Sequence, residues 1–321
     1  MPVPADEAEE YTCIPLACVY ADTVTGFTIY LRTPPDGNNY VFYREANLVF
    51  SESHRAQLTK NGVTHIYIHA ADRKQYLRYL ENHLDVILQD PNMPVDEKSQ
   101  VHYSCATELV KDVFDDPRSG ESIKRVQRMV NNSVYHILQQ AGELSSFINI
   151  MSVDYHTYTH SVNVCVFGVA LGHRFALNRS ELRDLGIGLL LHDVGKSEID
   201  SEILSKEGPL NNEERDIIKS HPQIGFNILA DSPLLLPTSL EIILRHHERR
   251  TGRGYPGGLR DHQIHPFAKI AALVDVFDAL TTRRPYHAER SSFAAFQLMQ
   301  RQMKDDFDPD YFRELIRLLC G

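Results

Sequence analysis

Several features are missing from this sequence, and each absence excludes a class of protein. It has no tryptophan, no CxxC pair among its five cysteines and no long uninterrupted apolar run. A helix that crosses a bilayer needs about 20 apolar residues, so no membrane span is expected. The opening residues, MPVPADEAEE, lack the basic and apolar regions of a signal peptide. We therefore expect a cytoplasmic protein with reduced thiols rather than a secreted disulfide framework.

Basic residues are also fewer than acidic residues in this sequence. The chain has 33 lysines and arginines against 43 aspartates and glutamates, a formal net charge of −10. This surplus of negative charge disfavours binding to DNA or to an anionic membrane surface, so neither is an expected partner. Histidine, in contrast, is abundant, and ten of the 16 histidines lie between residues 156 and 287. That concentration directs the search for function to the second half of the chain.

Residue patterns divide the chain into three parts, which together predict an α+β protein. Residues 1–95 predict a small α/β domain, which could bind a regulatory ligand or protein. The apolar spacing is then helical, which predicts a connector at 96–140 and an all-α domain at 141–321. The connector could instead belong to the helical domain or form the seam of a homodimer. In the first part the predicted elements are strands at 26–32, 40–44 and 63–69 and helices at 52–60 and 72–88.

Imidazole and carboxylate side chains occur on several separate helical segments of the second half. His156 and His160 are four residues apart and therefore share a helix face. His192 and Asp193 end the apolar run LGIGLLL, where a buried carboxylate needs a partner or a metal ion. The other candidates are His221, His246, His247 and Asp275. Any one histidine could be a packed core residue, and it is the ordered set that predicts a metal centre.

The donor types indicate which ions this centre would hold. All the candidates offer nitrogen or oxygen and none offers a thiolate, which favours iron, manganese or a similar catalytic ion over structural zinc. The set is too large for one ion, so we expect two divalent ions. A carboxylate that bridges two ions places them about 3.5–4 Å apart, where they can orient a phosphate and activate a water. The pattern therefore predicts metal-assisted hydrolysis of a phosphodiester.

At this point three motifs resemble a known family. His192-Asp193-Val194-Gly195-Lys196 resembles the HDxGK signature of the HD superfamily. His246-His247-Glu248, followed by Gly252-Arg253-Gly254-Tyr255-Pro256, resembles the HHE…GxGYP signature of its HD-GYP subfamily. The stretches Asp275–Thr281 and Arg284–Tyr286 resemble the DxxDALT…RPY segment of the same subfamily. The resemblance covers about residues 150–290 and none of residues 1–120.

The resemblance implies an all-α HD-GYP bundle that hydrolyses the bacterial messenger cyclic di-GMP to pGpG, and onward to GMP, with a water that bridges two metal ions. Asp193 would bridge these ions, and Lys196 would stabilise developing charge or assist proton transfer. The family's site holds two or three metal ions, and the implied ligands are His160, His192, Asp193, His221, His246, His247 and Asp275, with His156 as an additional candidate. The implied substrate-binding residues are Lys196, Gly254, Tyr255, Pro256, Arg284 and His287.

Some positions depart from the family pattern. His156 stands where trinuclear members have a glutamate that binds a third ion and many binuclear members have a tyrosine, so it could contact a further ion. His287 stands where a basic residue often follows the RPY segment, which makes phosphate binding there sensitive to pH. Three alternative functions stay open: hydrolysis of another dinucleotide such as pGpG or cyclic GMP-AMP, binding of a nucleotide without cleavage, and a diiron oxygenase.

Overall fold

The computed structural model describes residues 10–33, 39–139, 143–151, 157–206, 208–282 and 290–320. The chain forms two compact units, Met1–Met93 and Pro94–Gly321, and each is described by itself. Among the described residues, no helix is both long enough and apolar enough to cross a membrane.

The first unit is built on a four-stranded antiparallel sheet with the order β1-β6-β3-β4. In β6, Ile66 and Ile68 are buried and alternate with more exposed residues, so one sheet face packs in the core together with Ile14 and Ile29. The strands are β1 (Tyr11–Pro15), β2 (Thr23–Val24), β3 (Ile29–Thr33), β4 (Asn39–Arg44), β5 (Val49–Phe50) and β6 (His65–His69). The helices are α1 (Glu52–Lys60), α2 (Arg73–Asn82) and α3 (Leu84–Gln89).

This pairing corrects the α/β prediction for residues 1–95. The strands β3, β4 and β6 lie where strands were predicted, but every pair is antiparallel, so the unit is α+β. A parallel sheet needs a crossover of a dozen or more residues between neighbouring strands, and residues 34–38 between β3 and β4 are too few. The strand β1 was missed because five residues that include a proline give a weak signal, and its pairing partner β6 is distant in sequence.

The second unit is helical. Both helices of the predicted connector, α4 and α5, belong to it. Its helices are α4 (Val95–Asp115), α5 (Gly120–Gln139), α6 (Glu143–Ile150), α7 (Thr157–Arg174), α8 (Arg179–Leu191), α9 (Ser201–Leu204), α10 (Asn212–Lys219), α11 (His221–Leu229), α12 (Pro237–Arg245), α13 (Pro266–Thr281), α14 (Ser292–Gln302) and α15 (Pro309–Cys320).

Four helices form the centre of this unit. The helix α7 packs against α8 and α13, and α12 packs against α8 and α13. Every residue from Thr159 to Gly172 in α7 is buried, because neighbours surround this helix on all sides. A helix that is enclosed in this way can present a polar side chain to the interior only if that side chain has a partner there.

Candidate metal centre

Seven of the predicted ligand side chains converge between the central helices. His160 lies on α7 and Asp275 on α13, while the other five lie at helix ends or just beyond them. Six of the seven are buried, and His247 is partly exposed. The residues brought together are His160, His192, Asp193, His221, His246, His247 and Asp275. His156, which was predicted as an additional ligand, lies outside the described residues.

Asp193 lies at the middle of the cluster, and its two oxygens face different histidines. Oδ2 is 3.5 Å from Nε2 of His192 and 3.8 Å from Nε2 of His160. Oδ1 is 3.1 Å from Nε2 of His221 and 4.0 Å from Nε2 of His246. One carboxylate therefore adjoins two separate groups of imidazoles, which is the arrangement that a bridging ligand requires.

The second carboxylate, Asp275, also adjoins both groups. Its Oδ1 is 3.2 Å from Nε2 of His160, and its Oδ2 is 3.5 Å from Nδ1 of His247. Three overlapping sets of side chains each place their ligand atoms within 4.8 Å of one another. These sets are His160, His192 and Asp275; His192, Asp193 and His246; and His221, His246 and His247.

The outer ring nitrogens of four histidines face hydrogen-bond acceptors, which fixes the tautomers. Nδ1 of His192 donates to the Leu189 carbonyl at 2.7 Å, and Nδ1 of His221 donates to the Ile218 carbonyl at 2.7 Å. The nearest acceptor of His246 Nδ1 is the Ile243 carbonyl, and Nδ1 of His160 donates to Oδ2 of Asp278 at 2.6 Å. Each Nε2 therefore carries a lone pair that points into the cluster.

These inward lone pairs need a positive charge between them. Nε2 of His221 and Nε2 of His246 are 3.1 Å apart, and with both Nδ1 atoms protonated neither Nε2 has a proton to donate. Nε2 of His192 is buried without a hydrogen-bond partner among the described residues. A buried polar atom without a partner is costly, and unprotonated imidazoles around carboxylates are the donors that divalent ions prefer. The residues present therefore fit a metal centre.

The protonation states agree with this assignment. Burial lowers the pKa of His192, His246 and His247, so these rings are neutral at pH 7 and able to ligate. Burial opposes ionisation of Asp193, but the adjoining Lys196 ammonium holds its pKa well below the usual range. Neutral imidazoles and ionised carboxylates are the ligand forms.

The turn after α8 brings Lys196 to the same carboxylate. Lys196 Nζ is 2.5 Å from Oδ2 of Asp193, and its side chain is still 16% exposed, so it lies at the solvent side of the cluster. Gly195 makes this turn possible, because a Cβ there would lie 2.0 Å from the His221 carbonyl oxygen. The close approach of these backbones holds Asp193 against His221.

The loop that carries Tyr255 is fixed to the ligand helix by Glu248. This buried carboxylate accepts hydrogen bonds from the backbone N–H of Gly257 at 2.6 Å and of Leu259 at 2.8 Å. Gly254 packs so closely on the end of the helix that a Cβ would lie 2.4 Å from Arg249 N. The Tyr255 ring then lies against His247, with ring centroids 4.6 Å apart. Burial raises the pKa of Tyr255, so its hydroxyl keeps its proton.

Of the predicted substrate-binding residues, Lys196, Gly254 and Tyr255 adjoin the cluster, and Pro256 is the exposed residue after Tyr255. Arg284 and His287 lie outside the described residues. The sequence interpretation did not select Glu248 or Asp278. Glu248 is the third residue of the HHE motif, and its anchoring role shows only in the loop hydrogen bonds. Asp278 is three residues after Asp275 on α13, and i, i+3 spacing places both on one helix face. That spacing was the available signal.

A family model described as "HD domain" matches residues 147–311, about half of the chain. The chain is 34% identical over 216 residues to "Cyclic di-GMP phosphodiesterase PA4108" of Pseudomonas aeruginosa, an alignment that covers 67% of this chain and 52% of that protein. It is 31% identical over 165 residues to "3'3'-cGAMP-specific phosphodiesterase 3" of Vibrio cholerae, covering 51% of this chain and 35% of that one. The chain thus spans about half or less of the length of these relatives.

A solved structure resembles the chain over almost its whole length. It is "Bd1817, a HDG"Y"P protein from Bdellovibrio bacteriovorus", with a TM-score of 0.67 over 97% of this chain and 100% of that one. The sequence identity is 20%, so this similarity concerns the fold.

Proposed function

The chain belongs to the HD domain family, and we propose that it is a metal-dependent phosphodiesterase that hydrolyses cyclic di-GMP to pGpG and onward to GMP. One observation carries the proposal: Asp193 directs its two oxygens toward two different groups of imidazoles. A single ion would not need this division, whereas a pair of ions held by one bridging carboxylate would. The relative from Pseudomonas aeruginosa, which is 34% identical over 67% of this chain, is named as a cyclic di-GMP phosphodiesterase.

The ligands divide between two divalent ions, for which we propose iron or manganese. One would be held by His160, His192 and Asp275, the other by His221, His246 and His247, with Asp193 between them. When bound, such ions polarise the phosphate and lower the pKa of the attacking water. His156 is a candidate ligand for a third ion.

The remaining roles belong to side chains around the cluster. Lys196 lies at the exposed side of Asp193, where its ammonium can neutralise charge that develops on a phosphate. The Tyr255 ring packs against His247, and its protonated hydroxyl can donate to a phosphate or base, while Gly254 and Pro256 flank it in the loop. We propose Arg284 as a phosphate clamp, because a guanidinium matches two phosphate oxygens, and His287 as a second contact.

Product analysis tests the function directly. Purified protein is loaded anaerobically with Fe(II) or Mn(II) and incubated with cyclic di-GMP, beside an Asp193→Ala variant. Chromatography should show pGpG or GMP with the unaltered protein and neither product with Asp193→Ala. Full metal occupancy without any product from this substrate would overturn the proposal.

A second substrate deserves a parallel assay. Three relatives from Vibrio cholerae are named for 3'3'-cGAMP and are 31%, 34% and 32% identical, close to the values for the cyclic di-GMP enzymes. Incubation with equimolar cyclic di-GMP and 3'3'-cGAMP gives the ratio of kcat/KM for the two. We expect cyclic di-GMP to be consumed first. Nucleotide binding without turnover of either would identify a receptor.

A further inference from the structure

A line of buried hydrogen bonds connects α4 to the metal centre. It runs from Tyr103 on α4 through Asn163 on α7 and Asp278 on α13 to His160. All four side chains are buried. Tyr103 lies well before residue 147, where the match to the HD domain family begins. The line therefore joins a helix outside the matched segment to a proposed ligand inside it.

The direction of every hydrogen bond in the line is fixed. Asp278 lies between three donors: His160 Nδ1 at 2.6 Å, Asn163 Nδ2 at 2.8 Å and Thr282 Oγ1 at 3.2 Å. A carboxylate can only accept, so Asn163 must present its NH₂ group to Asp278 and its carbonyl oxygen to Tyr103. The Tyr103 hydroxyl, 2.9 Å from Asn163 Oδ1, must then be the donor.

The hydrogen bond between His160 and Asp278 determines which ring nitrogen of His160 can bind a metal ion. Asp278 accepts a hydrogen bond from Nδ1 of His160, so the ring proton stays on Nδ1. The lone pair of Nε2 then faces Asp275 Oδ1 at 3.2 Å and Asp193 Oδ2 at 3.8 Å. The carboxylate also makes the imidazole a stronger donor to a metal ion, and such outer partners typically contribute 10- to 100-fold in metal affinity. His160 thus differs from His192, His221 and His246, whose outer nitrogens bind backbone carbonyls close by in sequence.

We infer that Tyr103 is a positioning residue for the metal centre, which sets the metal affinity of the His160 site through Asn163 and Asp278. The inference rests on the proposed metal centre and not on which nucleotide is hydrolysed. Without the tyrosine hydroxyl, the Asn163 carbonyl is buried without its donor, and the amide is no longer held in the orientation that supports Asp278. Because α4 packs directly on α7, a displacement of α4 would act on His160 in the same way.

The test measures metal binding by the full chain. Metal-free protein is titrated with Mn(II) or Co(II) against a chelator of known affinity, and the Co(II) absorption spectrum reports the ligand geometry. Tyr103→Phe should weaken the binding of one ion by about threefold to tenfold, which corresponds to the free energy of one neutral hydrogen bond. Asp278→Asn should weaken it by about 10- to 100-fold. The control is Tyr311→Phe on α15, which removes the same hydroxyl from a half-buried ring that packs on Phe175. This control should change neither the metal affinity nor the Co(II) absorption spectrum.

The double variant Tyr103→Phe/Asp278→Asn separates positioning from general loosening of the fold. If Tyr103 acts through Asp278, its removal should cost almost no further affinity once Asp278 is changed. Unchanged affinity in folded Tyr103→Phe, or full additivity in the double variant, would overturn the inference. If the chelator titrations behave as expected and the unaltered chain cleaves neither cyclic dinucleotide, the inference stands and the proposed function fails.

Discussion

The helical unit contains two groups of buried histidines that differ in what their ring nitrogens face. In the metal centre, inner nitrogens face one another and two carboxylates. Between α4 and α5, His102 instead pairs with the Ser133 hydroxyl at 2.9 Å, and His136 pairs with Ser99 at 3.2 Å. Burial lowers the pKa of histidines in both groups. A lowered pKa of a buried histidine therefore does not indicate a metal site. A metal site is indicated instead where several ring nitrogens with lone pairs face one another and two carboxylates.

The same substitution in the two groups should have opposite outcomes, and this is the largest effect we expect. His221→Ala removes a nitrogen that adjoins both Asp193 and His246. It should lower metal content by about one ion and reduce hydrolysis by at least 100-fold, since even outer partners of ligands contribute about 10- to 100-fold. Elemental analysis and product chromatography give the two values.

His102→Ala is the matched variant in the other group. It should keep its metal and its activity while the free energy of unfolding falls by about 1–3 kcal/mol, because a buried side chain and its bond to Ser133 are lost. Metal loss in His102→Ala, or full metal content in His221→Ala, would remove the distinction between the groups.

A smaller effect is expected in the loop that carries Tyr255, which Glu248 holds beside the candidate metal centre. In Glu248→Gln, the amide can still accept from one of the two backbone N–H groups, but the other loses its acceptor. The loop then loosens, so KM for cyclic di-GMP should rise about tenfold while metal content stays unchanged. The matched control is Glu213→Gln on the exposed side of α10. A metal loss in Glu248→Gln would show that this residue supports the ligands rather than the loop.

A last prediction concerns the pH dependence of stability and the histidines between α4 and α5. Burial, together with His136, lowers the pKa of His102 to about 3, against about 6.5 in the unfolded chain. Between these values the unfolded state binds more protons, so stability falls as pH drops from 6.5 toward 3 and is flat above 6.5. One such group contributes a slope of about 1.4 kcal/mol per pH unit. His102→Gln should lose that slope in denaturant titrations at pH 4 to 7, and an unchanged slope would show that His102 does not titrate in this window.

Local pattern and motif spacing selected side chains that the fold brings together, because each lies beside a sequence signal. His192 and Asp193 end an apolar helix, and His246 and His247 follow another. The helical face of α5 was also predictable, and Val126, Val130 and Val134 are buried on it. These features depend on neighbours within a few turns of helix.

Features that depend on distant contacts were not predictable in this way. The pairing of β1 with β6 joins residues that four other strands and a helix separate in the chain. The bond from Tyr103 to Asn163 joins two helices with α5 and α6 between them in the chain. In both cases each residue is ordinary in its local context, since a tyrosine on an amphipathic helix is usually a packing residue. Only the folded arrangement gives such residues a partner.

The proposed ligands of the candidate metal centre come from five helices and the turns that follow them, so this centre would exist only after the bundle has assembled. Ions that bind the folded chain alone stabilise it by mass action, about 4 kcal/mol at a free concentration a thousand times the dissociation constant. Folding and loading are then thermodynamically linked. A shortage of these ions would reduce the amount of folded protein as well as its turnover, so the supply of metal would set the lifetime of the protein against proteolysis.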